Sequence, residues 1–281
     1  MDRNSAIGLT LIAVLLLVYF YWFSPKPQPQ SAQPTRDTTS AAAVTPPPSP
    51  RDSVQTAAYG DLAAFANGTE EVVSVETEDL RIALSSRGGI ITDLELKHYN
   101  TYTGQPLKLV TPGHTTFRLL ANYEGREIDL YDLYYTPSRT QNGDTTVLSF
   151  TAQLADGSYL RHIYSVPQTG YQVRYQLEQR GFGERIGDNH LTLRWDDQIL
   201  PTEKDLHDMR NNSTVTWFTV DDGYDALSER STGTELETFA GPLKWVSIKK
   251  KFFLSAIIAD SHFSGGEVST TTNEEIGRAH V

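Results

Sequence analysis

Residues 159–178 read YLRHIYSVPQTGYQVRYQLE, two alternating runs joined by a proline–glycine turn. The second run is the clearest alternation in the chain: Tyr171, Val173, Tyr175 and Leu177 fall on one face and Gln172, Arg174, Gln176 and Glu178 on the other. A period of two over eight residues predicts a half-buried strand. Pro167-Gln168-Thr169-Gly170 supplies the turn, because proline presets one backbone angle and glycine accepts a left-handed one. The same pattern recurs outward, in residues 71–75, 80–84, 90–96, 191–195 and 214–220. Turn signals at Asn142-Gly143-Asp144, Asp156-Gly157-Ser158 and Asp222-Gly223 punctuate it. More than ten strands at this spacing, apolar on one face and polar on the other, predict a mainly β chain built as a large antiparallel sandwich. One helix is expected after Pro201-Thr202, over residues 203–210. A weaker one, or a packed loop, is expected over residues 54–67, where Val54, Ala58, Leu62 and Phe65 share a face and Gly60 interrupts.

The N-terminus follows a different logic. Residues 6–23, AIGLTLIAVLLLVYFYWF, carry no charge. As a helix they extend about 27 Å, close to the ~30 Å hydrocarbon thickness of a bilayer. The run ends in clustered aromatics, which suit the membrane–water interface. No small-x-small cleavage site follows, so an uncleaved signal anchor over residues 1–23 is expected, with a signal peptide cut further on as the alternative. Residues 24–53 hold eight of the fourteen prolines and no aromatic residue, which predicts a disordered, semi-rigid linker over residues 24–56. Residues 57–273 are then the extracytoplasmic β domain. They and the tail together carry 20 Lys+Arg against 32 Asp+Glu, a net charge of −12 over residues 57–281. Arg3 and Lys26 flank the anchor almost evenly, so the acidic bulk and the short N-terminal tail argue for an N-in orientation.

Acidity excludes a nucleic-acid partner, since no basic face is present to displace counterions from phosphates. The chain has no cysteine, which removes disulfides and thiolate metal sites and leaves stability to the core. Absence of cysteine fits a bacterial envelope protein. No metal site or cofactor is expected: the seven histidines are scattered without ligand spacing. Gly181-Phe182-Gly183-Glu184-Arg185-Ile186-Gly187 has the wrong spacing for a dinucleotide loop and reads as a turn. Asp221-Asp222-Gly223-Tyr224-Asp225 lacks the alternating ligands of a calcium loop. Asn67-Gly68-Thr69 and Asn212-Ser213-Thr214 match the glycosylation sequon, a short pattern that arises often by chance. No G-x-S-x-G elbow occurs, and no catalytic residue is assigned.

Two segments say more. In Ser86-Arg87-Gly88-Gly89-Ile90-Ile91-Thr92-Asp93-Leu94-Glu95-Leu96-Lys97-His98-Tyr99 the paired glycines permit a sharp turn between closely paired strands. In Trp245-Val246-Ser247-Ile248-Lys249-Lys250-Lys251-Phe252-Phe253-Leu254-Ser255-Ala256 a Trp-led strand meets a basic knot and an apolar strand. The plain reading of the three lysines is a solvated edge that discourages aggregation. An N-terminal anchor, a Pro-rich tether, S-x-x-GG-x-I-x-x-L-x-L-x-x-Y and W-x-x-x-K-x-x-FF-x-x-A occur here in order. Together they resemble the N-terminal part of the YidC membrane protein insertases (YidC/Oxa/Alb family) of Gram-negative bacteria. The matching positions are Gly88, Gly89, Ile90, Leu94, Leu96, Tyr99, Trp245, Lys249, Phe252 and Phe253.

The resemblance implies a periplasmic β-supersandwich, a mutarotase-like fold, held by one helix in the inner membrane. It implies partners in the lipid bilayer, nascent membrane proteins and Sec translocon subunits. The family's insertase groove and its arginine lie among five further membrane helices. No later apolar run here exceeds eight residues, so this chain is expected to be a fragment lacking that core. Residues 276–281 have no strand or helix logic and match a reading frame of a sequencing adapter, so a non-native tail is expected over residues 274–281. Two alternatives stay open: a membrane-anchored carbohydrate-binding or aldose-epimerase-like sandwich, with His162, His190, Asp196 and Asp197 as its candidates, and a structural envelope scaffold.

Overall fold

The computed structural model describes residues 58–182, 185–272 and 277–280. The expected anchor and tether lie outside the described residues. The chain there is mainly strand, and every strand pairing is antiparallel. A first sheet runs in spatial order β1 (Val72–Glu76), β2 (Leu80–Ser85), β3 (Ile90–Asn100), β4 (Pro106–Val110). A second runs β10 (Arg174–Arg180), β9 (Tyr159–Pro167), β8 (Thr145–Gln153), β7 (Thr136–Asn142). The third has six strands: β14 (Thr234–Phe239), β17 (Gly266–Thr272), β18 (Gly277–His280), β11 (Ile186–Gln198), β5 (Thr115–Tyr123) and β6 (Arg126–Asp129). The fourth is β13 (Gly223–Ala226), β12 (Ser213–Thr219), β15 (Leu243–Lys250), β16 (Phe253–Phe263).

The pleat explains the core. Along β8 and β9 every second residue is buried, so Leu148, Phe150 and Ala152 face Leu160, His162 and Tyr164 across a shared register. These residues join a large apolar cluster with Ile82, Leu84 and Phe182. Each fully buried leucine, isoleucine or phenylalanine of this cluster stabilises the fold by about 1.5–3 kcal/mol. A second, smaller cluster gathers Trp195, Val215, Trp217, Ile248 and Val268. Phe117 packs against both clusters and stacks on Trp195 at 5.8 Å between ring centroids. The turn after β6 is fixed by Asp129, whose carboxylate accepts from the Leu119 and Tyr131 amides and pairs with Arg118 at 2.9 Å.

Four expectations need correction. The strand read over residues 171–178 begins at Arg174, because the left-handed turn at Gly170 (φ 86°) extends beyond the glycine, and β10 is a largely exposed edge. The helix read over residues 203–210 is one short turn, α1 (Leu206–Arg210), started by the Asp205 side chain accepting from the Asp208 amide at 2.9 Å. In the segment read over residues 54–67, the described part makes a 3-10 turn, Gly60–Phe65, with Leu62 fully buried. Residues Gly277–His280, which show no strand logic in sequence, form β18 between β17 and β11. Backbone pairing between two open edges needs no side-chain pattern, which is why sequence periodicity missed it.

The turn at Gly88 and Gly89 is sterically exacting. Both have positive φ, 80° and 58°. A Cβ on Gly88 would lie 2.6 Å from the Tyr131 carbonyl oxygen, and one on Gly89 would lie 2.9 Å from Phe150 Cβ. Gly104, at φ 78°, faces open space. Gly89→Ala therefore costs about 2–4 kcal/mol, strain plus overpacking, while Gly104→Ala costs about 1–2 kcal/mol from strain alone. Urea denaturation followed by tryptophan fluorescence checks this; equal losses would contradict the packing account.

Candidate functional site

The two sequence motifs meet in space. Gly88 donates its amide to the Leu133 carbonyl at 2.7 Å, which pins the turn that starts β3. Ile90 and Leu94 are half-buried and Leu96 is buried, all three against the large apolar cluster. Tyr99, near the end of β3, stands edge-on to Phe253, the first residue of β16, at 5.1 Å between ring centroids. Trp245 lies on the outer face of β15, stacked with Phe218. Phe252 is exposed in the β15–β16 turn, with the Lys251 ammonium 4.6 Å above its ring. The motif positions are thus strand-packing and turn positions on two neighbouring sheets.

The three lysines are not a shared solvated edge. Lys249 pairs with Glu229 and Lys251 with Asp208, both at the surface. Lys250 points the other way. It is buried and forms an ion pair with Asp197, itself only 3% exposed, at the end of β11. Its ammonium also donates to the Leu109 carbonyl of β4 at 3.2 Å, and Asp197 accepts from the Thr115 hydroxyl at 2.8 Å. Alternation accounts for the difference: Val246, Ile248 and Lys250 occupy the inward face of β15.

The residues offered for a sugar site do not assemble. Asp197 is committed to Lys250 and Thr115. His190 is exposed on β11. His162 is fully buried on β9, its Nδ1 hydrogen-bonded to the Tyr175 hydroxyl at 2.8 Å. Rings of Tyr131, Tyr135 and Tyr175 surround it at 4.6–6.0 Å. Its Nε2 has no hydrogen-bond partner among the described residues. Burial holds the His162 imidazole neutral, with a pKa pushed down from 6.5 to about 3. The same burial raises the Tyr131 hydroxyl to about 12, and lifts Tyr135, Tyr164 and Tyr175 above the ordinary tyrosine range. The imidazole is thus held neutral among tyrosine rings, with Tyr175 reaching it from the partly exposed edge strand β10.

An open cleft of about 360 Å³ lies where Ile90, Ile91 and Thr92 of β3 meet Thr115, Thr116 and Phe117 of β5. Glu70 is its one carboxylate, and it accepts from the Ser85 hydroxyl at 2.6 Å. No group of three or more potential metal ligands occurs among the described residues. No helix among them is long and apolar enough to cross a membrane.

These features define a large antiparallel β domain in which one buried ion pair, Lys250 with Asp197, joins two of the sheets. The chain belongs to the YidC periplasmic domain family, whose model matches residues 72–279. The membrane protein insertase YidC of Cytophaga hutchinsonii is 33% identical over 97% of this chain and 44% of its own length. That of Porphyromonas gingivalis is 31% identical over 97% of this chain and 46% of its own, and that of Chlorobaculum parvum 27% over 94% and 47%. The chain spans about half the length of the curated relatives it matches. Among solved structures, a galactose mutarotase related enzyme from Lactobacillus acidophilus aligns over 75% of this chain and 84% of its own, with a TM-score of 0.43 and 9% identity. That likeness is too distant to carry an argument.

The buried imidazole makes stability depend on pH. The unfolded chain protonates His162 near 6.5 and the folded chain only near 3, so stability is complete above 6.5 and falls as pH drops across that window. Between pH 7 and pH 5 the loss from this residue is about 2 kcal/mol. Urea titrations of the wild type and His162→Asn at both pH values check it. The variant should lack that share of the pH dependence; an unchanged dependence would contradict it.

Proposed function

We propose that this chain is the N-terminal part of a membrane protein insertase. The observation that carries this reading is the family match over residues 72–279, together with insertase relatives that align along 92–98% of the chain, well beyond the β domain. In this reading residues 1–23 form a single-pass anchor in the bacterial inner membrane and residues 24–56 a tether. Residues 57–273 then stand in the periplasm, and the acidic balance of the domain supports that side. Residues 274–281 are read as a non-native tail, their pairing as β18 notwithstanding.

The work of the complete protein is physical. Polar segments of a nascent membrane protein cross partway in a shielded aqueous groove, which lowers the cost of moving them through hydrocarbon. The apolar segment then partitions into lipid. The groove belongs to the portion of the protein beyond this chain. The portion present here anchors and orients the protein, beside nascent membrane proteins in the bilayer, and its β domain docks partners such as Sec translocon subunits. In this reading it does so without catalysis: the buried Lys250–Asp197 pair joins two sheets, and His162 is bonded within the second.

In cells depleted of the full-length protein, insertion of a single-span reporter with a short translocated tail should fail. A full-length variant lacking residues 60–260 should restore most of it. Normal insertion in depleted cells would contradict the insertase reading. Complete loss with a folded membrane part would contradict the accessory role of the β domain.

A further inference from the structure

The fourth sheet carries an apolar face that its own fold does not cover. Register places Tyr224 of β13, Phe218 of β12, Trp245 of β15 and Ile258 of β16 side by side in one row across all four strands. Phe218 stacks on Trp245 at 6.2 Å and Tyr224 lies 6.1 Å from the same ring. Tyr224 is 64% exposed, Ile258 63% and Leu254, two pleats along β16, 58%. Ala256 between them is exposed too, so β16 turns Leu254, Ala256 and Ile258 outward while Phe253, Ser255 and Ile257 face in. Phe218, 37% exposed, and the half-buried Trp245 link these ends, and an exposed aromatic and aliphatic row of this kind marks an interaction surface.

We propose that this face rests on the surface of a lipid bilayer. The inference builds on the anchored reading given under Proposed function. In that reading a Pro-rich tether over residues 24–56 would reach no further than about 100 Å, at about 3.1 Å per residue, which keeps the domain within range of the bilayer. The composition of the row fits that surface: tryptophan and tyrosine rings settle at headgroup depth, with aliphatic side chains beside them entering the acyl boundary. Three ion pairs lie at its margins, Lys249 with Glu229, Lys251 with Asp208 and Arg174 with Asp260, so these cations already have their counter-charges. It is a sheet face, which suits a broad surface better than a single extended peptide.

The chain has no cysteine, so one introduced thiol reports on one place. Nitroxide labels are attached to Ile258→Cys, Tyr224→Cys, Thr140→Cys on the exposed strand β7, and Leu15→Cys in the apolar run. The full chain is reconstituted in phosphatidylcholine vesicles. Collision with oxygen, which enters lipid, is compared with collision with a nickel chelate, which stays in water on both sides. The oxygen-to-nickel ratio at positions 258 and 224 should exceed that at 140 several-fold and approach that at 15. A ratio at 258 equal to that at 140, with a lipid ratio at 15, would overturn the docking and leave the anchor standing. Shielding of 258 from both reagents would overturn it in favour of a protein cover, a second copy or a strand added at β16. A lipid ratio at 258 supports the docking whatever position 15 reads; a water ratio at 15 marks failure of the anchored reading by itself.

Discussion

The buried ion pair between Lys250 and Asp197 is the interaction on which the arrangement of sheets depends. Lys250 belongs to β15 in the fourth sheet, Asp197 to β11 in the third, and the Leu109 carbonyl that Lys250 also reaches to β4 in the first. Three sheets therefore converge on one ammonium group. Charges removed from water cost several kcal/mol each unless geometry and further hydrogen bonds compensate, and removing one partner strands the other. Thr115 and Leu109 supply those further bonds. The two apolar clusters could slide against each other by dispersion alone; a buried pair has one arrangement that satisfies it. Phe117, shared by both clusters, adds a packing contact across the same junction.

Much of this was legible in the chain. Period two in residues 159–166 and 214–220 located β9 and β12 to within about a residue, because one buried and one wet face force that pattern. The glycine pair at 88–89 announced a turn, and the structure supplies the close approach of Tyr131 and Phe150 that requires it. Edge and backbone-paired strands were harder. β10 carries a clear alternation yet starts three residues later than that pattern, and β18 is held by its neighbours' backbones without any apolar stripe. Lys250 was readable in principle: it falls in step with Val246 and Ile248. Three consecutive lysines suggest a surface, and only the partner on β11, distant in sequence, makes the inward one tolerable. Asp197 suffered the reverse error, since a carboxylate after Trp195 suggests a ligand site when its partner is unseen.

The same features bear on what the domain does. The motif positions quoted from the sequence lie in the β3 turn, in β3 and in the β15–β16 hairpin, where Gly88, Gly89, Leu96 and Phe253 pack while Phe252 and Lys249 stay at the surface. His162 sits neutral among tyrosines and reinforces a rigid interior. Lys250 and Asp197 are buried in one ion pair, and apolar side chains are left on the outer face of the fourth sheet. A rigid β domain, tethered as proposed, is the kind of body that positions and docks beside an insertase core.

A double-mutant cycle on Lys250 and Asp197 tests the central claim most directly, with Lys250→Met, Asp197→Leu and the pair measured by urea denaturation. Each single variant is predicted to lose about 3–5 kcal/mol, because it leaves an unpaired buried charge. The double variant should lose no more than either single one, a coupling well above 2 kcal/mol for residues about 50 positions apart in sequence. Losses that simply add would show that the two charges do not depend on each other, and the sheets would have to be held by something else.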